Sequence, residues 1–136
     1  MSRPTEIHGW ISIRYTYENS EAALDLSEKE MPFIVERIGR KIEELYFHSA
    51  DVRVICSRGY YVNICGYRDN AGDYDSAMEL FRHVGEVAKG SYGMLHRFDS
   101  DEDRTTVDVL RKGVITQYDD IYFSPFIPLV EDEASD

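Results

Sequence analysis

Histidine, cysteine, serine and carboxylate side chains carry most enzymatic and metal chemistry, and their spacing in this chain points away from both. The four histidines, His8, His48, His83 and His96, make no H-x-x-x-H pair, and none stands beside a cysteine at metal-ligand spacing. Cys56 and Cys65 fall in two β-rich runs around Arg58-Gly59. Taken as a two-residue turn, that dipeptide sets Cys56 opposite Tyr61 and leaves Cys65 four positions further on, too far for a disulfide. Gly90-Ser91-Tyr92-Gly93 lacks the G-x-S-x-G spacing of a nucleophile elbow and runs from a helix into a strand, the reverse of what an elbow needs. No phosphate-binding or dinucleotide-binding glycine pattern is present. Asp99-Ser100-Asp101-Glu102-Asp103 is dense in acids but lacks the twelve-residue calcium-loop pattern, and reads as a solvated turn. The expectation is no catalytic set, no metal and no cofactor. A small hydrolase with paired carboxylates is the weaker alternative, since no spacing among the acids recommends a pair.

The elements that position these residues follow from periodicity. Residues 6–17 alternate, with Ile7, Ile11, Ile13, Tyr15 and Tyr17 on one face and His8, Trp10, Ser12 and Arg14 on the other. This predicts a strand with one buried face and Trp10 opposite the aliphatic stripe. Ser27 and Glu30 have capping-box spacing and predict a helix to about residue 48, with Met31, Ile34, Ile38, Ile42 and Leu45 as its buried stripe and Pro32 near its start. Strands follow at 52–57 and 60–67. A turn is expected over 69–73, and a second helix from the Ser76–Glu79 capping box to Gly90, burying Ala77, Leu80, Phe81, Val84, Val87 and Ala88. Strands at 92–98, 105–111 and 114–118 complete the pattern, before Pro125 and Pro128 prevent regular pairing. The order β-α-β-β-α-β plus two C-terminal strands predicts an α+β fold, mostly antiparallel, with both helices on one sheet face and a ferredoxin-like core. The 136 residues fit one domain, 1–136, ending in a short acidic tail, 131–136.

Charge gives the first indication of function. The chain carries 15 Lys+Arg against 26 Asp+Glu, a net of −11. Residues 1–68 hold 9 basic and 10 acidic side chains, and residues 69–136 hold 6 and 16, so nearly the whole deficit lies in the second half. Such a field repels nucleic acid and anionic lipid and attracts a basic partner. No apolar run is long enough for a membrane span and no signal peptide opens the chain, so a cytoplasmic location is expected. Ten tyrosines, six phenylalanines and one tryptophan supply contact area of the kind that anchors protein interfaces.

Three segments taken together are specific: His8-Gly9-Trp10 opening a strand with Arg14 soon after; Gly90-Ser91-Tyr92-Gly93-Met94-Leu95 followed by an acidic turn; and the ending Asp119-Asp120-Ile121-Tyr122-Phe123-Ser124-Pro125-Phe126-Ile127-Pro128 with Glu131-Asp132. From His8 to Asp132 the chain resembles immunity protein 7, a family of bacterial polymorphic toxin systems. The resemblance implies a non-enzymatic antidote whose partner is a cognate toxin domain, and it carries over no catalytic residues. Independently, fast and tight binding favours electrostatic steering with a few aromatic anchors. The expected contacts are therefore Trp10 and the acids Asp99, Asp101, Glu102, Asp103, Asp119, Asp120, Glu131 and Asp132, as monomer or homodimer. The alternative is a small-molecule-sensing or regulatory module that homodimerises through its sheet.

Overall fold

The computed structural model describes residues 5–69, 71–99 and 104–120. The elements are β1 (Thr5–Ile13), α1 (Glu21–Glu44), β2 (Asp51–Cys56), β3 (Tyr60–Asp69), α2 (Ala71–Val87), β4 (Tyr92–Asp99), β5 (Arg104–Arg111) and β6 (Val114–Asp119). All six strands form one antiparallel sheet in the order β2-β3-β1-β4-β5-β6. The first four strands and two helices have the split βαβ order of a ferredoxin-like core, and β5 and β6 extend it at the β4 edge. No helix among the described residues is long and apolar enough to cross a membrane.

Alternation along each strand decides what the helices cover. Ile7, Ile11 and Ile13 of β1, Val62 and Ile64 of β3, Leu95 of β4 and Leu110 of β5 point the same way. They pack against Met31, Ile34 and Ile38 of α1 and Leu80, Phe81 and Val84 of α2 in a single core. The stripes expected on both helices are the ones buried, with Ile42, Leu45 and Val87 at the margin.

Both helix starts differ from the capping-box expectation. Helix α1 begins two turns earlier, where the Ser20 hydroxyl accepts from Ala23 N (3.1 Å) and Glu21 sits in the positive first turn. Pro32 therefore lies inside the helix rather than near its start, on its exposed side. Helix α2 begins at Ala71, so most of the expected 69–73 turn is helical. Ser76 does not cap it; its hydroxyl donates to Tyr46 O (2.8 Å). Instead Asp73, buried in the first turn, accepts from the backbone N–H of His48, Ser49 (2.8 Å) and Ala50 (2.8 Å). One carboxylate thus fastens the α1–β2 connection to α2. A spacing rule within one segment cannot reveal a fastening whose partners lie over twenty residues away.

Two turns also differ. The first strand ends at Ile13, so Tyr15 and Tyr17 lie beyond it. The hairpin pairs Cys56 with Tyr60, which makes its loop three residues, Ser57 to Gly59, with Arg58 at φ 54°. Both cysteines are free and exposed. The Gly90-Ser91 segment has a tertiary role: a Cβ on Gly90 would lie 2.2 Å from the Thr16 carbonyl carbon. Ser91 Oγ accepts from Arg14 N (2.9 Å) and donates to Arg14 O (3.3 Å).

These contacts set expected stabilities, read by urea or thermal unfolding. Asp73→Ala strands three backbone donors and is expected to cost about 3 kcal/mol. Gly93→Ala places a Cβ 2.2 Å from Trp10 O and should cost about 1–3 kcal/mol. Gly39→Ala, in α1 with nothing within 4 Å of the new methyl, should stabilise by about 0.5–1 kcal/mol.

Candidate functional site: a bare sheet face with an acidic and a basic end

Both helices lie on one side, so among the described residues no helix covers the opposite face of the sheet. Trp10 stands near its middle, 39% exposed, flanked by Met94 on β4 and Asn63 on β3. Tyr92 meets the Trp10 ring edge to face at 5.9 Å between centroids, and the Arg14 guanidinium sits 5.6 Å from the Tyr92 ring centre. The same strand alternation turns Tyr61, Ile55 and Tyr118 outward. At the Tyr92 end, Trp10, Tyr92, Met94, Tyr17, Arg111 and Lys112 line an open groove of about 360 Å³. Lys112 Nζ lies 5.0 Å from the Tyr17 ring centre. No acid lines this groove. Sequence reading singled out Trp10 from its alternation but missed the groove, because Trp10, Met94, Tyr92 and Arg111 meet only through strand pairing.

The other end of the sheet is acidic. Asp99 pairs with Arg104 across β4 and β5, and Asp119 on β6 forms an ion pair with Arg104 (3.0 Å). Residues 100–103, with the expected contacts Asp101, Glu102 and Asp103, connect those strand ends but lie outside the described residues, as do Glu131 and Asp132. Asp120 is a different case. It is buried at 6% exposure, 3.2 Å from His96 Nδ1, and its N–H donates to Thr105 O (2.9 Å). Its carboxylate is spent inside the fold, which corrects its expected place among the outward-facing acids.

The polar group most resembling an active site lies under α2. Tyr74 Oη donates to Asp108 Oδ2 (2.6 Å), and Gln117 Nε2 donates to Asp108 Oδ1 (3.1 Å) and to Tyr74 Oη (3.2 Å). The Arg97 guanidinium stacks 4.2 Å from the Tyr74 ring centre. Burial, and then the Asp108 carboxylate, push the Tyr74 phenol up to about 12. A phenol held protonated and already donating to a buried carboxylate is a structural clasp rather than a proton acceptor. Burial, with Lys41 and Arg37 nearby, holds His83 below its ordinary value, so it is neutral at pH 7. The other histidines contact Glu6, Tyr46 and Asp120. Among the described residues no three His, Cys, Asp or Glu side chains converge as a metal site.

A two-layer α+β domain with one bare sheet face and a clasped polar core has the form of a binding protein. The family comparison is specific: the immunity protein 7 model matches residues 5–132, and the chain belongs to the immunity protein 7 family. The family is one of immunity proteins against toxins and is generally non-enzymatic, so the implied partner is a toxin protein. A comparison with curated proteins gives no match. Among solved structures the chain is similar to a phage SAM lyase in complex with S-methyl-5′-thioadenosine, at 11% identity over 88% of this chain and 91% of that one. The TM-score of 0.32 is too low for that likeness to carry an argument.

The clasp has a measurable pH signature. Because the folded-state phenol titrates above the unfolded one, its contribution is complete below the unfolded value of 10.0 and is lost as pH rises towards about 12. Tyr74→Phe is expected to cost about 1–3 kcal/mol at neutral pH. The gap between wild type and variant should then shrink by about 2 kcal/mol between about pH 9 and about pH 12, measured by urea unfolding.

Proposed function

We propose that this immunity protein binds a cognate toxin domain in the bacterial cytoplasm and neutralises it by protein–protein contact, without turnover. In this reading the acidic end of the sheet faces a basic toxin surface. The observation that carries it is the segregation of charge. Asp99 and Asp119 lie at one end of β4, β5 and β6 around Arg104, while Arg14, Arg111 and Lys112 lie at the other. Carboxylates on a strand-end connection can project without disturbing the core, and a one-signed cluster speeds encounter with an opposite one. A basic surface of this kind is what a nuclease offers its nucleic acid, and an acidic antidote is suited to occupy it.

The second reading, a regulatory module that homodimerises through its sheet, draws on the bare face around Trp10. Titration of the purified protein with the cognate toxin separates the two, because only the first reading requires a stable complex with the toxin.

Neutralising Asp101, Glu102 and Asp103 together to Asn, Gln and Asn is expected to leave folding unchanged and to lower the association rate with the cognate toxin by about tenfold at low salt. The dependence of that rate on ionic strength should flatten at the same time. An unchanged rate and salt slope, in stopped-flow experiments on both proteins, would place the toxin contact elsewhere.

A further inference from the structure

Both cysteines are free and exposed, yet their surroundings differ. Cys65 on β3 pairs directly with His8 on β1. Ile7 and Ile64 beside them are buried under the helices, so Cys65 and His8 both point to the opposite face. His8 Nδ1 lies 3.7 Å from Cys65 Sγ, and His8 Nε2 lies 2.7 Å from Glu6 Oε1. An ionised carboxylate only accepts, so Glu6 keeps the proton of the neutral ring on Nε2 and leaves the Nδ1 lone pair towards the thiol. A nucleophile, a base within reach of its proton and a third group that orients the base thus stand in line. The thiol and the imidazole are 57 positions apart in the chain, so only strand pairing brings them together. Cys56 pairs with Tyr60 at the hairpin end, and among the described residues no imidazole bonds its sulfur.

We propose that Cys65 is a thiol-modification site, with His8 as its base and Glu6 positioning the ring, whose substrate is a small external disulfide of cationic or neutral charge. The other sulfur must come from outside. Cys65 pairs with Asp51, and Cys56 lies at the other end of that strand, about 17 Å away and beyond the reach of a disulfide. Charge sets the class of substrate. Asp51 faces Cys65 across the ladder, Arg53 is engaged by Asp51 (2.8 Å), and Glu6 lies just beyond His8 in a molecule of net charge −11. Such surroundings repel an anionic disulfide. In the exchange, Cys65 Sγ attacks one sulfur of the small disulfide; the new S–S bond forms as the old one breaks. The thiol proton passes to His8 Nδ1 and from there to the departing sulfur, which leaves with the electron pair of the broken bond. Cys65 is thereby oxidised to a mixed disulfide, and half of the small disulfide is reduced to a thiol. The site does not depend on where a toxin binds.

Cystamine is the probe, applied to the full chain at neutral pH, and peptide mass spectrometry follows the adduct at each cysteine with time. Cys56 serves as the standard within the same molecule. Cys65 is expected to react at least about tenfold faster than Cys56. His8→Asn should bring that ratio to about one with the Cys56 rate unchanged, although the smaller side chain leaves the Cys65 thiol more open. Glu6→Ala should lower the ratio by about threefold, and a dicarboxylate disulfide should react with Cys65 more slowly than cystamine does, most of all at low salt. Where His8→Asn raises the Cys56 rate, and so loosens the fold, Glu6→Ala against the wild type decides alone. Equal rates at the two cysteines of the wild type overturn the proposal. A ratio that survives loss of the imidazole also overturns it, because exposure alone would then set the reactivity.

Discussion

Two helices cannot cover both faces of a six-stranded sheet. The strands span about 24 Å from first to last, and each helix is about 10 Å across, so α1 and α2 together cover one face and nothing more. Each connects two parallel strands of the sheet and both land on the same side, with α2 packed against β1, β3, β5 and β6 and α1 against β2. Everything else follows from that asymmetry. One face is an aliphatic core built by strict alternation, and the other carries Trp10, Tyr61, Tyr92, Met94 and Tyr118 with no helix above them. Those outward residues are too apolar to be a solvent face of the usual kind.

The central strand shows how tightly the covered face is specified. Ile7, Ile11 and Ile13 lie under the helices, while between and beside them glycines replace side chains. A Cβ on Gly9 would lie 2.8 Å from Leu95 Cδ1, and one on Gly93 would lie 2.2 Å from Trp10 O. Beside this apolar layer lies one buried polar clasp, Tyr74 with Asp108, Gln117 and Arg97, which joins the start of α2 to β4, β5 and β6. Asp73, one residue earlier, holds the α1–β2 connection. Adjacent residues thus secure the helix to both halves of the sheet, which accounts for acids deep in the molecule that take no part in its surface field.

Strands were legible because their signal is local. Alternation in residues 6–13 gave the right faces, with Trp10 opposite the stripe, and the runs at 60–67 and 92–98 were read as strands. Helix starts were less legible, since Ser27–Glu30 and Ser76–Glu79 have the spacing of a cap while lying well inside helices. The cap of α1 is a plain serine, Ser20, with no glutamate three residues on, and Asp73 at the start of α2 bonds to a distant connection. The acidic half was visible as a count, but a count cannot separate Asp119 at the surface from Asp120, Asp108 and Asp73 inside it. Three of the acids that make residues 69–136 look like a single field are internal fasteners.

Removing those three from the outward set makes the electrostatic shape simpler. Among the described acids of β4, β5 and β6, Asp99 and Asp119 lie at one end of the sheet, and the cations Arg14, Arg111 and Lys112 gather with aromatic rings at the other. In a molecule of net charge −11, a groove lined by Arg111 and Lys112 and by no acid is where an anionic group meets the least repulsion on this face. The acidic end favours the opposite kind of partner, because carboxylates there speed encounter with a basic protein surface.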